Sequence, residues 1–217
     1  MNKNNEKDYN ELIKKSIFFS KKNDFSSAKI FLKKAININP TKTTSYINLS
    51  NIYILENDLK SSKKILFDYI EKYSFDIEII NHLGRIFIKF DLICEFIEFK
   101  KFFLEKNKTK SNFFFIYFLF GIAHEKKEEF LDAVNFYKTS INYNKNYIEN
   151  YLNLCNLFEK TNKINDLEKI INKAKNNCKP DARIDYFLSL LYFRKKEYLR
   201  SSSIINNKKI EKKLLKY

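Results

Sequence analysis

The stretch TSYINLSNIY, Thr44–Tyr53, decides how the rest of this chain is read. It sets Tyr46 three residues before Leu49, follows Leu49 at once with the small Ser50, and places a second ring, Tyr53, three residues further on. The same order returns in FFIYFLFGIAH at Phe114–His124, as Tyr117, Phe120, Gly121 and His124. It returns again in NYLNLCNLF at Asn150–Phe158, as Tyr151, Leu154, Cys155 and Phe158. Residues three and four apart share one face of a helix, so the stretch predicts an α-helix with one packed side. Extended outward, the register starts new units at Tyr9, Thr43, Ile77, Phe114, Ile148 and Ala182. These starts lie 34 residues apart, except for a step of 37 from Ile77 to Phe114. The polar run EKNKTKSN, Glu105–Asn112, accounts for the exception as a lengthened turn. A fixed period of about 20–50 residues is the mark of stacked repeats.

Counted from each start, position 8 is small six times: Ser16, Ser50, Gly84, Gly121, Cys155 and Ser189. Position 11 is a ring six times: Phe19, Tyr53, Phe87, His124, Phe158 and Tyr192. Position 7 is Leu49, Leu83, Phe120, Leu154 and Leu188, and breaks only at Lys15. Position 20 is small at Ala28, Ser62, Ala133 and Ser201, and large at Leu167 and around Phe96. A small side chain at 8 lets a second helix approach, and the rings at 4 and 11 flank that contact. The turns inside the units are polar, as at Lys22–Asp24, Asn57–Asp58 and Glu128–Glu129, and Pro40 and Pro180 fall at unit junctions, where proline stops a helix at little cost.

Carried by these columns, the chain resembles the tetratricopeptide repeat (TPR) family over nearly its whole length. The resemblance implies an all-α fold, a right-handed superhelical solenoid of antiparallel helix pairs. The expected organisation is a disordered N-terminus over 1–8 and an array over 9–207, with repeats near 9–42, 43–76, 77–113, 114–147, 148–181 and 182–207. Residues 208–217 are expected to form a basic C-terminal helix or to start a further helix, because KKIEKKLLKY is amphipathic and unlike a finished polar cap. The third unit departs from the pattern in its second helix, where IEFKKFFLEK reads as divergent and open to a one-residue shift. The sixth has Asp185 where the pattern has Tyr.

Composition narrows the function classes. Two glycines and two prolines in 217 residues cannot write a G-x-G-x-x-G dinucleotide loop or a G-x-x-x-x-G-K-[ST] phosphate loop, and they disfavour turn-rich β folds. The net charge is +15, yet only four of the 41 basic residues are Arg. Abundant Lys, Asn, Ile, Phe and Tyr beside scarce Gly, Pro, Ala and Trp explains the charge as the imprint of an AT-rich coding sequence, and nucleic acid is not the expected partner. Cys94, Cys155 and Cys178 form no C-x-x-C and are odd in number, so a reducing, cytoplasmic location is expected and no zinc site. The apolar run Phe113–Ala123 is too short for a membrane span and reads as a buried helix face.

No catalytic residue, metal ligand or cofactor is expected. His124 takes a ring position and reads as packing, His82 as exposed on a first helix. The functional signal lies in the first helices, whose side chains near positions 2, 5, 6, 9, 12 and 13 line the partner-binding groove of TPR proteins. The resemblance therefore assigns a peptide-binding groove to Asn48, Asn51, Asn81, Arg85, Lys89, Asn153, Asn156, Phe115, Phe118 and Tyr186. Asparagine amides both donate to and accept from an extended backbone. Groove cations outnumber groove anions, so the expected partner is a protein or peptide segment with apolar anchors and acidic residues. The family's carboxylate clamp needs Lys and Asn where this chain has Ile13 and Ile17, so binding of a chaperone tail is not expected. The implied function is a non-catalytic interaction scaffold, with the recognition arm of a sulfotransferase or glycosyltransferase as the alternative.

Overall fold

The structure, a computed structural model, describes residues 3–73, 75–106 and 113–206. Of the expected lengthened turn Glu105–Asn112, Glu105 and Lys106 instead close a helix, and residues 107–112, like the expected C-terminal helix at 208–217, lie outside the described residues. Among the described residues every regular element is an α-helix. In chain order these are α1 Lys3–Lys21, α2 Phe25–Ile38, α3 Thr43–Leu55, α4 Leu59–Tyr73, α5 Ile77–Lys89 and α6 Ile93–Lys106. They continue with α7 Phe114–Lys126, α8 Phe130–Tyr143, α9 Ile148–Lys160, α10 Ile164–Asn177, α11 Ala182–Arg194 and α12 Tyr198–Ile205. Helices α3, α5, α7, α9 and α11 begin at the residues where the sequence register starts new units.

The N-terminus corrects an expectation. Disorder was expected over 1–8, whereas α1 already begins at Lys3. Two contacts anchor its early turns: Lys42 Nζ lies 2.6 Å from Glu6 Oε1, and the hydroxyl of the buried Tyr9 donates to Ser45 Oγ at 3.3 Å.

Each first helix ends in the same way. The backbone N–H of position 16 donates to the carbonyl of position 11, as from Asp24 to Phe19, Asp58 to Tyr53, Leu92 to Phe87, Glu129 to His124, Lys163 to Phe158 and Glu197 to Tyr192. This six-to-one closure needs a left-handed residue just before it. Asn23, Asn57, Asp91, Glu128, Asn162 and Lys196, all at position 15, have φ between 54° and 63°. None is glycine. Asn and Asp tolerate this conformation through local hydrogen bonding, while for other side chains it costs roughly 1–2 kcal/mol. Glu128→Gly and Lys196→Gly are therefore expected each to raise the unfolding free energy by about 0.5–1 kcal/mol, after the larger entropy lost by glycine is set against the relief. Asn57→Gly is expected to change it little. Urea titrations of the three variants check this, and a loss of stability in both of the first two would contradict it. The first two second helices are further fixed by Asp24 and Asp58, whose carboxylates each accept from a backbone N–H, of Ser27 and Ser61, at 3.0 Å.

The chain divides into two compact units, Met1–Phe96 with Phe102–Asn107, and Ile97–Lys101 with Lys108–Tyr217. In the first, Ala28 and Leu32 of α2 pack with Leu49 and Ile52 of α3, and Ile13, Phe19 and Phe25 close the cluster. Positions 7 and 10 of one repeat thus cover positions 5, 20 and 24 of the repeat before it. Burial of each Leu or Ile there stabilises by about 1.5–3 kcal/mol. Ser50 and Ser62, at positions 8 and 20, touch directly with their hydroxyls 2.8 Å apart. The α6 residues Phe96, Phe99 and Phe103 are buried and Phe102 is partly exposed, so the helix holds its register and no one-residue shift is needed.

In the second unit α7 buries Ile116, Phe118, Leu119, Phe120, Gly121, Ala123 and His124. A Cβ at Gly121 would stand 2.5 Å from the Tyr137 ring of α8. The position-20 residue Ser201 donates its hydroxyl to the Ser189 carbonyl at 3.0 Å, which joins α12 to α11. Asp185, in place of the expected ring, pairs with Lys175 at 3.3 Å.

Candidate functional site

The candidate side chains fall into one set in each unit. In the first, α3 and α5 pack on each other. Asn51 and Arg85, both at position 9, are exposed, as is Lys89, whose ammonium lies 5.4 Å from the Phe90 ring centre. Asn48 is half-buried. Asn81 is also half-buried, with its Oδ1 enclosed and without a hydrogen-bond partner. His82, expected on the exposed side of its helix, is instead half-buried, with Nε2 3.3 Å from Ser50 Oγ. Burial, reinforced by the Arg85 charge, holds its pKa below the ordinary histidine value.

In the second unit Asn156 on α9 is exposed and Tyr186 on α11 is 42% exposed. Phe115 is half-buried against Phe118 and Tyr147. Two candidates are engaged internally. Phe118 is 8% exposed, with its ring 5.1 Å from that of Tyr147 and 6.0 Å from that of Tyr137. Asn153 donates its amide to the Tyr137 hydroxyl at 3.1 Å, and that hydroxyl donates to Glu125 Oε2 at 2.7 Å. The groove arginines of this unit are paired as well. Arg183 meets Asp181 at 2.9 Å and Glu149 at 3.0 Å, and Arg194 meets Glu159 at 2.6 Å.

His124 packs as its ring position predicts, stacked on Phe136 with centroids 5.1 Å apart and 3% exposed. It also belongs to a polar chain that the sequence did not signal. Lys100 Nζ lies 2.7 Å from Nε2, and Nδ1 lies 2.6 Å from Glu129 Oε2. The neutral ring satisfies both contacts, donating from Nδ1 to Glu129 and accepting at Nε2 from Lys100. His124, Glu129 and Asp132 bring ligand-type atoms within 4.8 Å of one another. A cation on Nδ1 would, however, move the ring proton to Nε2, against the Lys100 ammonium. Lysine already serves as the cation of this cluster.

Burial and Lys100 hold the His124 pKa below its ordinary value, only partly opposed by Glu129. For both histidines the folded state thus resists protonation, while the unfolded chain takes up protons below about pH 6.5. Stability is therefore full above about 6.5 and is lost as pH falls below it towards the folded values. Urea midpoints between pH 7.5 and 5.5 are expected to fall with acidification, and less steeply in His124→Gln. A flat profile for the parent chain would contradict the assignment. Among the cysteines, Cys155 is buried and its thiol pushed up to about 12 by burial, while Cys94 is exposed and Cys178 half-buried.

The comparisons bear on this geometry. A family model described as tetratricopeptide repeat matches residues 12–42. A search of curated proteins by sequence finds no match. Among solved structures, the chain is similar to PilF of Pseudomonas aeruginosa at 13% identity, over 99% of this chain and 100% of that one, with a TM-score of 0.66. It is similar to PilW, a widely conserved type IV pilus biogenesis factor, at 12% identity, over 95% and 98%, with a TM-score of 0.62. A third likeness is to YrrB, a TPR protein with an unusual peptide-binding site, at 16% identity, over 86% and 90%, with a TM-score of 0.52. The chain has the tetratricopeptide fold.

In TPR terms, position 9 of the first helices carries three of the exposed candidates, Asn51, Arg85 and Asn156, while positions 5 and 6 lie at the border with the neighbouring repeat. Asn153 crosses that border to the Tyr137 hydroxyl of the repeat before it, whereas Phe118 packs on Tyr137 and Tyr147 inside its own repeat. Among the described residues no helix is long and apolar enough to cross a membrane.

Proposed function

We propose that this TPR chain is a protein-interaction scaffold that holds an extended partner segment along its first helices. The observation that supports the reading best is the side shared by α3 and α5, where Asn51, Arg85 and Lys89 are exposed and Asn48 stands half-buried beside them. An amide and a guanidinium on one side suit a backbone and an acidic side chain together. Within the second unit, Asn156 offers an amide and the half-exposed Tyr186 ring an apolar contact of its own. The peptide-binding site named for YrrB is consistent with this use of the fold. The preferred partner is a segment that alternates acidic residues with apolar anchors.

A displayed library of unstructured peptides selected on the full chain tests this. Selected sequences are expected to carry acidic residues between aliphatic or aromatic ones. Their affinity should fall at least tenfold when Asn48, Asn51 and Arg85 are all changed to Ala. Unchanged affinity in the triple variant would remove the assignment.

A further inference from the structure

Position 24 of the second helices is a core column, held by Leu32, Leu66, Tyr137 and Ile171, all fully buried. In α6 the same position is Lys100, whose ammonium gives up hydration that an apolar side chain never had. A second column changes with it. Position 11 is a Phe or Tyr ring in five repeats and the imidazole of His124 in the fourth. The two exchanges meet inside the second compact unit, to which Lys100 belongs. Lys100 Nζ lies 2.7 Å from His124 Nε2 and 5.2 Å from the centre of the Phe136 ring. The imidazole is held in turn by stacking on Phe136 and by the 2.6 Å contact of Nδ1 with Glu129 Oε2.

An amine, an imidazole and a carboxylate thus stand in line, each within hydrogen-bond reach of the next. Proteins activate weak nucleophiles in this order, with a base beside the nucleophile and a third group that orients the base. Glu129 keeps the ring proton on Nδ1, which leaves Nε2 as the acceptor facing Lys100. Burial holds the Lys100 pKa below the ordinary lysine value; Asp132 and Glu129 oppose this, and Lys101 and Lys127 reinforce it. The side chain of Lys100 is half-buried, not sealed.

We propose that Lys100 is a self-acylation site that takes acyl groups from thioesters, with His124 as general base and Glu129 as the residue that positions it. The ammonium first releases one proton to water. The neutral Nζ then attacks the acyl carbon, so that a carbon–nitrogen bond forms and the carbon–sulfur bond breaks. His124 Nε2 takes a second proton from the nitrogen and hands it to the departing thiolate, while the third proton stays on the new amide. The products are one acylated lysine and one thiol. Each chain reacts once, so the event marks the protein and does not turn over. It also removes the Lys100 charge, which after burial is what keeps the His124 pKa low.

Incubation of the full chain with acetyl-coenzyme A at about pH 8, followed by peptide mapping in a mass spectrometer, tests the proposal. Acetylation of Lys100 is expected to run at least about tenfold faster than that of the exposed Lys101 and Lys138 in the same molecules. Its rate should reach half of its plateau below about pH 10.4, the ordinary lysine value. His124→Gln should slow Lys100 about a hundredfold, the low end for loss of a general base, with Lys101 unchanged. Glu129→Gln keeps an oxygen for Nδ1 without the charge, leaves the core untouched, and should slow Lys100 about threefold. A Lys100 rate no faster than that of Lys101, or one unaltered by Glu129→Gln, would overturn the proposal.

Discussion

Gly121→Ala is expected to lower the unfolding free energy by about 3 kcal/mol, the upper range for forcing extra volume into a packed core. The added Cβ would meet Tyr137 Cε1 at 2.5 Å, Cδ1 at 2.6 Å and Cζ at 3.0 Å, where carbon pairs prefer about 3.5–4.0 Å. The ring has no way out. It is fully buried, and its hydroxyl is held by Glu125 on one side and Asn153 on the other. The other repeats show the remedy. Where position 8 has a Cβ, as at Ser16 and Ser50, position 24 carries Leu32 and Leu66. The double change Gly121→Ser with Tyr137→Leu reproduces that pairing and should recover more than half of the loss. Thermal and urea unfolding of the two single variants and the double variant measure the coupling. Additive effects would show that ring and glycine are not fitted to each other.

Phe96→Ala is expected to cost about 3–5 kcal/mol, although it installs the small residue that four of the six repeats have at position 20. A reading by column alone would make the change neutral or favourable. Phe96 is fully buried and stacked on Phe87, with centroids 5.1 Å apart and planes 21° from parallel. Removing it leaves a cavity that neighbouring aromatic side chains cannot refill. Leu167→Ala, at the same position and equally buried, should cost about 2–5 kcal/mol by the same reasoning. Urea titration followed by circular dichroism gives both numbers. A stability at or above that of the parent would mean that the column, and not the local packing, governs the site.

The helices and their faces were legible because a period of 3.6 writes itself into positions 4, 7, 8 and 11, which need only local sequence. The left-handed residue at position 15 was not legible as such. Glu128 and Lys196 look like ordinary polar turn residues, and only the recurring bond from position 16 to 11 forces their φ. The anchoring of residues 3–8 was missed because Glu6 meets Lys42, 36 residues away. Likewise Lys100 and His124 lie 24 residues apart, on different helices. Phe118 and Asn153 have the right position and composition for a binding face, but the tyrosines that engage them come from a neighbouring helix and a connecting turn. Contacts between residues on different helices carry no signature in the local sequence of either.

The unequal thiols give the chain an internal clock. Cys94, on the surface of one unit, is open to an alkylating reagent in the folded chain. Cys155, sealed at position 8 of the other and held protonated, reacts only when α9 and α10 part. A single labelling course resolved by mass spectrometry would therefore time the opening of one helix pair in the native chain, with no dye or engineered probe.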